Sequence, residues 1–380
     1  MRLGINGWRI LGNRTGVGRY LLNIVRHWDA EAIAQRFDEI VFYAPRPIDR
    51  ADIPLPPNMR VRVLQPNASL LVWENLRFGP TANDDVVFCP SFTRPIIARG
   101  RTVVTIFEAT LKLYPHLFPR SSPLSMPSAY LRLIEWSAHN ARLVLASSET
   151  ARQDVARAYG IPIEKIRVVA LAPPDDFEPR SDTARDTEIR RKYLRADRPY
   201  FLFVGKVTPR RNVPMLIEAF AQLKARHRVP HALFIVGLDT TGVGVMGLAA
   251  AAGVRDDVVH VPYAPDEDLM GIYNAATAFV MPHSYESVSL TVLEALATGT
   301  PVITSDAPGM IEATGGHALH LDQIDGERLV EAMAQLAGDD ALRARLVEDG
   351  LRYVKRFSWR RTALETLDVL AEAARSKSPS

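Results

Sequence analysis

The segment that most constrains the fold is 278–306, AFVMPHSYESVSLTVLEALATGTPVITSD. Its ends, 278–281 and 301–304, are short apolar runs typical of buried strands, and 288–297 between them has the spacing of a largely apolar helix. A glycine and a proline follow the helical stretch, where helices commonly end. A strand, a helix and a strand in this order predict a βαβ unit and therefore a parallel sheet.

Two serines and two glutamates lie along the predicted helix. Ser287 and Ser289 are alternative N-caps, Glu286 precedes the helix and Glu294 lies within it. A helix N-terminus presents free N–H groups and a positive dipole end, so this one could bind a phosphate. The carboxylates could then accept hydrogen bonds from sugar hydroxyls on one side and ribose hydroxyls on the other. Spacing alone leaves open that both are ordinary acids near a helix start.

The chain of 380 residues is too long for one ordinary hydrophobic core, so we expect two domains. The stretch 173–199 is rich in proline and charge and is interpreted as a linker. It separates a first domain, 1–178, from a second, 179–357, and an amphipathic helix is expected in 358–380. Both halves alternate apolar runs with helical segments, which predicts a doubly wound α/β fold. The predicted strands are 2–6, 39–43, 60–64, 85–89, 102–107, 142–146, 166–170, 200–204, 232–236, 258–261, 278–281 and 301–304.

Two loops between a predicted strand and a helix are candidate anion sites. The loop 7–16 leads into a helix from Val17, and Gly16 and Gly18 would let a ligand approach the backbone closely. This loop matches neither the dinucleotide fingerprint nor a P-loop, so a tight turn explains it equally well. The loop 205–212 carries three cations just before a helix N-terminus, which favours an anion site over a solvated loop.

Charge and cysteine content narrow the partners and the compartment. Residues 1–178 carry 22 Lys and Arg against 17 Asp and Glu, so the first half is mildly basic. That excess suits an anionic membrane surface or a pyrophosphate-bearing acceptor, although ordinary solvation explains it as well. The sequence contains no basic run with interleaved aromatics, so we do not expect it to bind nucleic acid. The single cysteine, Cys89, and the absence of an apolar leader predict a cytoplasmic protein, with peripheral association at the inner face of the membrane.

Six segments, in order and spacing, resemble glycosyltransferase family 4, and specifically its polysaccharide and mannosyltransferase subgroup. They are GVGRYLLNIV at 16–25, WENLRFG at 73–79, FCPSFTRPI at 88–96, FLFVGKVTPRRNVPMLIEAF at 201–220, YESVSLTVLEALATGTPVITSD at 285–306 and FSWRRTA at 357–363. The resemblance implies the GT-B architecture, α/β with two Rossmann-like domains whose parallel sheets face across a deep cleft. It implies that the first domain binds acceptor, that the second binds nucleotide sugar, and that the C-terminal helix crosses back to the first.

The resemblance also implies a role for individual residues. Glu294 would bind the ribose of a nucleotide sugar, and Glu286 would contact the transferred sugar. Lys206 occupies the usual arginine position of the family and Arg211 its usual lysine position, and both would act on the diphosphate. Glu286, Lys206 and Arg211 are the implied catalytic set. The remaining donor-binding residues are Gly16, Gly18, Gly205, Ser287, Val288, Ser289 and Leu290.

The sequence departs from the family pattern in two places. The family often has His-Asp after the strand that ends here near Ile106, whereas this chain has Phe107-Glu108. Phe107, Glu108 and His283 are the candidate donor-sugar contacts. The usual Gly-Phe-Gly-Leu is replaced by Ser287-Val288-Ser289-Leu290, which narrows the backbone conformations available near the diphosphate.

The resemblance implies a retaining transferase that moves a hexose of mannose or glucose type from a GDP- or UDP-sugar. The acceptor would be a glycan or lipid-linked saccharide in cell-surface polysaccharide synthesis. No metal or other cofactor is expected, because two cations and a helix dipole can stabilise the leaving diphosphate. The alternative is a degenerate family member that binds nucleotide or glycan without turnover, as a partner subunit. A nicotinamide-dependent oxidoreductase is excluded by the missing dinucleotide fingerprint.

Overall fold

The computed structural model describes residues 1–11, 16–117, 128–180, 183–242 and 244–375. The described chain forms two compact units. The first lies within Met1–Leu113, Met126–Ala172 and Phe357–Ser380, and the second within Tyr114–Ser125 and Pro173–Arg356. Each unit contains one parallel sheet with flanking helices, which confirms the predicted α/β class. No helix among the described residues is long and apolar enough to cross a bilayer.

The first unit is built on a seven-stranded sheet in the order β3-β2-β1-β4-β5-β6-β7. Its strands are β1 (Arg2–Asn6), β2 (Glu39–Ala44), β3 (Met59–Val63), β4 (Val86–Cys89), β5 (Arg101–Thr105), β6 (Leu143–Ala146) and β7 (Ile166–Val168). Its helices include α1 (Gly16–Arg26), α2 (Ala30–Ala34), α3 (Leu70–Trp73), α4 (Gly79–Thr81), α5 (Thr110–Leu113), α6 (Ser128–Asn140) and α7 (Glu149–Tyr159), with a π-helical segment at Glu74–Phe78. The strand order reverses between β1 and β4, where Ile5 pairs with both Phe42 and Phe88.

The second unit has a six-stranded parallel sheet in the order β10-β9-β8-β11-β12-β13. Its strands are β8 (Tyr200–Val204), β9 (Ala232–Val236), β10 (Val258–Val261), β11 (Ala278–Met281), β12 (Val302–Ser305) and β13 (Leu319–Leu321). Its helices are α8 (Thr183–Leu194), α9 (Val213–His227), α10 (Val245–Ala251), α11 (Asp266–Asn274), α12 (Leu290–Ala297), α13 (Pro308–Thr314), α14 (Gly326–Gly338) and α15 (Asp340–Val354). The strand order reverses between β8 and β11, and both strands are fully buried, as apolar runs in a two-sided parallel sheet should be.

The expected linker 173–199 is corrected by the structure, because α8 occupies much of it. This helix buries only a few apolar side chains, among them Ile189 and Leu194, so its sequence lacks a strong helical pattern. Polar contacts hold it instead: Lys192 and the Tyr193 hydroxyl both donate to the buried carboxylate of Asp268 on α11, each at 2.5 Å. The predicted strands match the observed bounds to within two residues. The observed strand β13 was not predicted.

The last helix, α16 (Trp359–Arg375), lies in the first unit. It packs against α1, and the indole Nε1 of Trp28 donates to the Ala363 carbonyl at 2.8 Å. The Thr362 hydroxyl donates to the carbonyl of Ala170 at 2.7 Å. The C-terminal residues therefore complete the first unit, although in sequence they follow the second.

Candidate functional site

The two loops that carry most of the predicted site residues follow β8 and β11. These strands are neighbours at the point where the strand order of the second sheet reverses. In open α/β sheets ligands bind at the carboxyl ends of the strands at such a reversal, because the loops there diverge to opposite faces and leave a crevice. The fold thus brings the loop 205–212 beside the loop 282–289.

Asn212 joins the two loops. It precedes α9, but its backbone has a φ of +52° and its side chain makes no capping bond. The side-chain amide instead donates to the Pro282 carbonyl at 2.7 Å and to the Ser284 hydroxyl at 3.0 Å. The Ser284 amide in turn donates to the Arg210 carbonyl at 2.9 Å. The local sequence does not reveal this pairing, because the partners of Asn212 lie on another loop.

Ser289 is the N-cap of α12. Its hydroxyl accepts from the Val292 amide at 3.4 Å, which settles the choice between the two predicted caps. Ser287 is fully buried before the helix starts, and Val288 and Leu290 are partly exposed. The helix therefore begins one residue after Ser289, beside the loop that carries Glu286.

Glu286 is buried between a cation and a histidine. Its Oε2 accepts from Arg210 Nη1 at 2.6 Å and lies 3.0 Å from His283 Nδ1. Arg210 Nη1 also donates to the Tyr285 carbonyl at 3.2 Å, which fixes the guanidinium against the loop. Arg210 was one of three cations noted in the sequence, but no separate role was predicted for it.

The charges of this cluster follow from its contacts. Burial alone would raise the pKa of Glu286, but the His283 hydrogen bond and the Arg210 charge lower it to about 2. Burial lowers the pKa of His283 to about 4. At neutral pH Glu286 is therefore ionised and His283 is neutral, so the Nδ1–H of His283 donates to the carboxylate.

Glu294 lies on α12, is 7% exposed and is also held in place. Its Oε2 accepts from the Tyr273 hydroxyl of α11 at 2.9 Å. Burial raises the pKa of Tyr273 well above its usual value, so this phenol stays a donor. Sequence reasoning missed Tyr273, because nothing in a helix of the second unit marks it as the partner of a residue 21 positions away.

Gly205 makes room for Arg211. Its φ is +140°, and a Cβ at this position would lie 1.8 Å from Arg211 Nη1. The guanidinium crosses the turn and donates to the Lys206 carbonyl at 3.2 Å. Lys206 itself is exposed. Lys206 and Arg211 thus lie in one turn after β8. Relative to the family pattern the two residue types are exchanged, and both positive charges are kept.

The other predicted donor contacts belong to the first unit. Gly16 is the first residue of α1, where an added Cβ would meet nothing within 4 Å, and Gly18 is buried in the same turn. The helix begins at Gly16 rather than Val17, and residues 12–15 of the predicted loop lie outside the described residues. Phe107 packs edge-on against Tyr20, with ring centroids 4.9 Å apart. Glu108 accepts from the Thr110 hydroxyl at 2.9 Å, and the donor role of these residues stays a prediction.

A second buried glutamate lies at the reversal point of the first sheet and was not predicted as a site residue. Glu74 is 1% exposed, and it accepts from Asn6 Nδ2 at 3.0 Å and from the Thr93 hydroxyl at 2.9 Å. Burial raises its pKa to about 7. The available signal was its place within the apolar segment LVWENL, where a charged residue is unusual.

No group of three or more His, Cys, Asp or Glu in the described part of the chain is placed to hold a metal ion.

Comparisons with known proteins find similar glycosyltransferases. Residues 185–352 match the family model described as Glycosyl transferases group 1. The chain is 27% identical over 375 residues to O-antigen chain mannosyltransferase B of Escherichia coli, covering 93% of this chain and 95% of that protein. It is 33% identical over 242 residues to D-inositol 3-phosphate glycosyltransferase of Acidothermus cellulolyticus, which covers 61% of this chain and 53% of that relative.

Solved structures share the fold at low sequence identity. The structure of HepE from Anabaena with UDP and glucose matches with a TM-score of 0.73 and 16% identity, covering 97% of this chain and 98% of that one. Sucrose-phosphate synthase from Thermosynechococcus elongatus matches with a TM-score of 0.73 and 19% identity, over 97% and 98% of the two chains.

Proposed function

We propose that this chain, a glycosyltransferase with the GT-B fold, is a retaining family 4 enzyme that transfers a hexose from a nucleoside diphosphate sugar. The observation that carries the proposal is the buried Glu286 in the loop after β11, held by Arg210 of the loop after β8, which also carries the Lys206 and Arg211 cations. A carboxylate that accepts sugar hydroxyls and cations that face a diphosphate are the two needs of such a donor.

Donor binding is assigned to the second unit. Glu294, held by Tyr273, accepts hydrogen bonds from the ribose hydroxyls. Lys206, Arg211 and the N-terminus of α12 hold the diphosphate, since backbone N–H groups and a helix dipole favour negative charge. As the bond from the sugar C1 to the diphosphate oxygen breaks, charge grows on the β-phosphate. Fixed cations at that point stabilise the transition state more than the ground state, and no metal is needed.

The acceptor hydroxyl attacks C1 from the face that the diphosphate leaves, so the configuration is retained. The new C1–O bond forms as the old one breaks, and the leaving phosphate takes the proton of the acceptor. Glu286 is not the nucleophile in this scheme. It accepts hydrogen bonds from hydroxyls of the transferred sugar and orients C1. Proton transfer to the leaving group suits the site, since His283 is buried and neutral and its Nδ1–H is already donated to Glu286.

The donor is a GDP- or UDP-linked mannose or glucose. Two comparisons support this choice: the Escherichia coli relative is an O-antigen chain mannosyltransferase, and HepE was solved with UDP and glucose. The acceptor is a growing glycan or a lipid-linked saccharide of a cell-surface polysaccharide.

A lipid-linked acceptor calls for a membrane contact, and the first unit offers a surface with suitable chemistry. Five large apolar side chains are 37–66% exposed in two adjoining segments: Leu71, Val72, Leu76, Ile96 and Ile97. The segments are joined by the Ile96 amide, which donates to Asn75 Oδ1 at 2.8 Å. Two exposed arginines, Arg77 and Arg99, lie next to these apolar residues in the chain. The acidic residue of the first segment, Glu74, is buried. Apolar groups flanked by arginines match a bilayer with anionic headgroups, so the chain would work at the inner face of the membrane.

Vesicle binding tests the membrane contact. We expect Leu76→Glu and Ile97→Glu to reduce sedimentation with phosphatidylglycerol vesicles at least tenfold, because each puts a charge into the apolar layer. Ile311→Glu is the matched control, since Ile311 is 45% exposed in the second unit. Equal binding by all three variants, or equal binding to neutral phosphatidylcholine, would argue against this surface.

Donor turnover tests the proposed function itself. Wild type is incubated with UDP-, GDP- and ADP-sugars, with and without candidate glycan and lipid-linked acceptors, and nucleoside diphosphate release is measured. We expect release from one donor, and a KM for that donor that rises about 10- to 100-fold in Glu294→Ala through the lost charged hydrogen bonds. Glu218→Ala, an exposed glutamate on α9, is the control. Binding without release under any condition would favour a non-catalytic binder, and no binding would overturn the proposal.

A further inference from the structure

We propose that Arg210 and His283 are positioning residues that hold the Glu286 carboxylate by one oxygen and reserve the other, Oε1, for a hydroxyl of the donor sugar. This inference rests on the proposed function. It assigns Arg210 to the carboxylate and leaves Lys206 and Arg211 for the diphosphate.

The Glu286 carboxylate is held through only one of its two oxygens among the described contacts. Arg210 Nη1 and His283 Nδ1 approach the same atom, Oε2, at 2.6 Å and 3.0 Å. Among the described residues, no hydrogen bond ends on Oε1. A carboxylate oxygen has two lone pairs that favour donors in the carboxyl plane, so Oε1 can still accept from a hydroxyl. A hexose presents such hydroxyls, and a hydrogen bond to an ionised acceptor is among the stronger ones.

The Glu286 carboxylate cannot rotate freely, because both of its partners are themselves held in place. Arg210 is anchored to the Tyr285 carbonyl at 3.2 Å, and His283 is 1% exposed. The His283 amide donates to the Met281 carbonyl at 2.9 Å, so the backbone that carries the ring is tied to the end of β11. On the other side, α13 packs against the Glu286 carbonyl through Gly309, where a Cβ would lie 2.1 Å from that oxygen. The loop is therefore fixed from three directions.

The negative charge of Glu286 depends on the groups around it. Three groups act on the pKa of Glu286: the Arg210 and Arg211 cations from the loop after β8, and the neutral His283 from its own loop. Of the two cations, Arg210 is the one in direct contact with the carboxylate. Without it, burial is opposed only by a neutral histidine donor and a more distant cation, and the pKa of Glu286 rises towards the neutral range. A protonated Glu286 would present an O–H and would lose much of its strength as an acceptor.

The pH profile of kcat/KM for the donor distinguishes positioning from a general structural effect. In wild type Glu286 is ionised across pH 5–9, so it contributes no acid limb. In Arg210→Gln we expect an acid limb in this range, with kcat/KM at pH 6 at least tenfold below its value at pH 9. Arg210→Lys restores a cation and should remove the limb. His283→Phe should create a limb and His283→Asn, which keeps an N–H donor, should not.

The controls separate the outcomes. Arg191→Gln, at an exposed arginine of α8, should keep the wild-type profile. If wild type turns over the donor but Arg210→Gln and His283→Phe lose activity equally at every pH, the inference is wrong and the proposed function stands. If wild type releases no nucleoside diphosphate from any donor, the proposed function fails first. If Arg210→Gln does not fold, as judged by its thermal transition, His283→Phe and its Asn partner decide the question.

Discussion

The two units each bury a glutamate at the reversal point of their sheet, yet the pKa values of the two side chains are shifted in opposite directions. Glu286 of the second unit has a pKa of about 2, whereas burial raises the pKa of Glu74 in the first unit to about 7. Both are under 10% exposed and each accepts two side-chain hydrogen bonds. Burial and the number of hydrogen bonds therefore do not explain the difference.

The difference lies in the type of donor. Glu286 contacts the Arg210 guanidinium at 2.6 Å, so a full positive charge offsets its desolvation. Within the described part of the chain, Glu74 accepts hydrogen bonds only from neutral donors, the amide of Asn6 and the hydroxyl of Thr93, while Arg9 and Arg94 lower its pKa from further away. One cation in contact outweighs two at a distance, because Coulomb energy falls with separation and with screening. We infer that the second unit keeps Glu286 as a charged hydrogen-bond acceptor. In the first unit, Glu74 is a carboxyl group that changes protonation near neutral pH.

The largest effect should be seen when both glutamates are replaced by glutamine. We expect Glu286→Gln to lower kcat/KM for the donor about 100-fold at pH 7.5, because a charge-assisted contact to the sugar becomes a neutral one next to an uncompensated Arg210. Glu74→Gln should stay within about threefold of wild type, since glutamine resembles the protonated acid and the Thr93 hydroxyl can reverse its role. Steady-state kinetics on the two variants measures the contrast. Equal losses would mean that Glu74 also requires its negative charge for turnover.

The second effect is on stability at acid pH. The pKa of Glu286 falls from an ordinary 4.5 to about 2 on folding, so its contribution is present above pH 4.5 and is lost as pH falls towards 2. Its magnitude is about 3 kcal/mol, or about 6–12 °C in the melting temperature of a unit this size. Glu286→Gln should therefore melt well below wild type at pH 7, and the gap should narrow steadily from pH 4.5 downwards. A gap that stays constant with pH would show that packing, not ionisation, is responsible.

Glu74 should show the opposite sign in a different window. Its pKa rises from 4.5 to about 7 on folding, so its stabilising contribution is present below pH 4.5 and is lost as pH rises through 7. Glu74→Gln lacks this loss and should melt above wild type at pH 8, by up to about 3 kcal/mol, and close to it below pH 4.5. Thermal scans from pH 4 to pH 9 measure the crossing. A variant less stable than wild type at pH 8 would mean that Glu74 is ionised and compensated.

The contrast between the two sites also explains what the sequence could predict. The β11–α12–β12 unit was predicted to within a residue at most of its ends, because apolar periodicity and the bounding glycine and proline are local signals. Glu286 and Glu294 were identified for the same reason, since they lie in that segment. The site was otherwise predictable only as a set of residue types: three cations in one loop, and two serines as alternative caps.

The pairings could not be predicted, because they join distant parts of the chain. Arg210 and Glu286 are 76 positions apart, and nothing in the loop distinguishes Arg210 from its neighbour Arg211. Asn6 and Glu74 are 68 positions apart, so the sequence around Glu74 does not reveal its hydrogen-bond partner. Helix α8 was missed because its stabilising contacts converge on Asp268, which is far along the chain. Local patterns determine elements, whereas the charge state of a buried group depends on which elements meet.

The smallest expected effect tests whether the neutral Thr93 donor contributes to the pKa of Glu74. Thr93→Val is nearly isosteric and removes the hydroxyl that donates to Glu74 Oε2 at 2.9 Å. That hydrogen bond lowers the pKa of Glu74, so its loss should move the alkaline destabilisation of the first unit to higher pH, with a stability cost of about 1 kcal/mol above the transition. The same thermal scans detect it as a displaced crossing relative to Glu74→Gln. In the double variant the displacement should vanish, because no carboxyl remains to titrate; a displacement that persists would place the titrating group elsewhere.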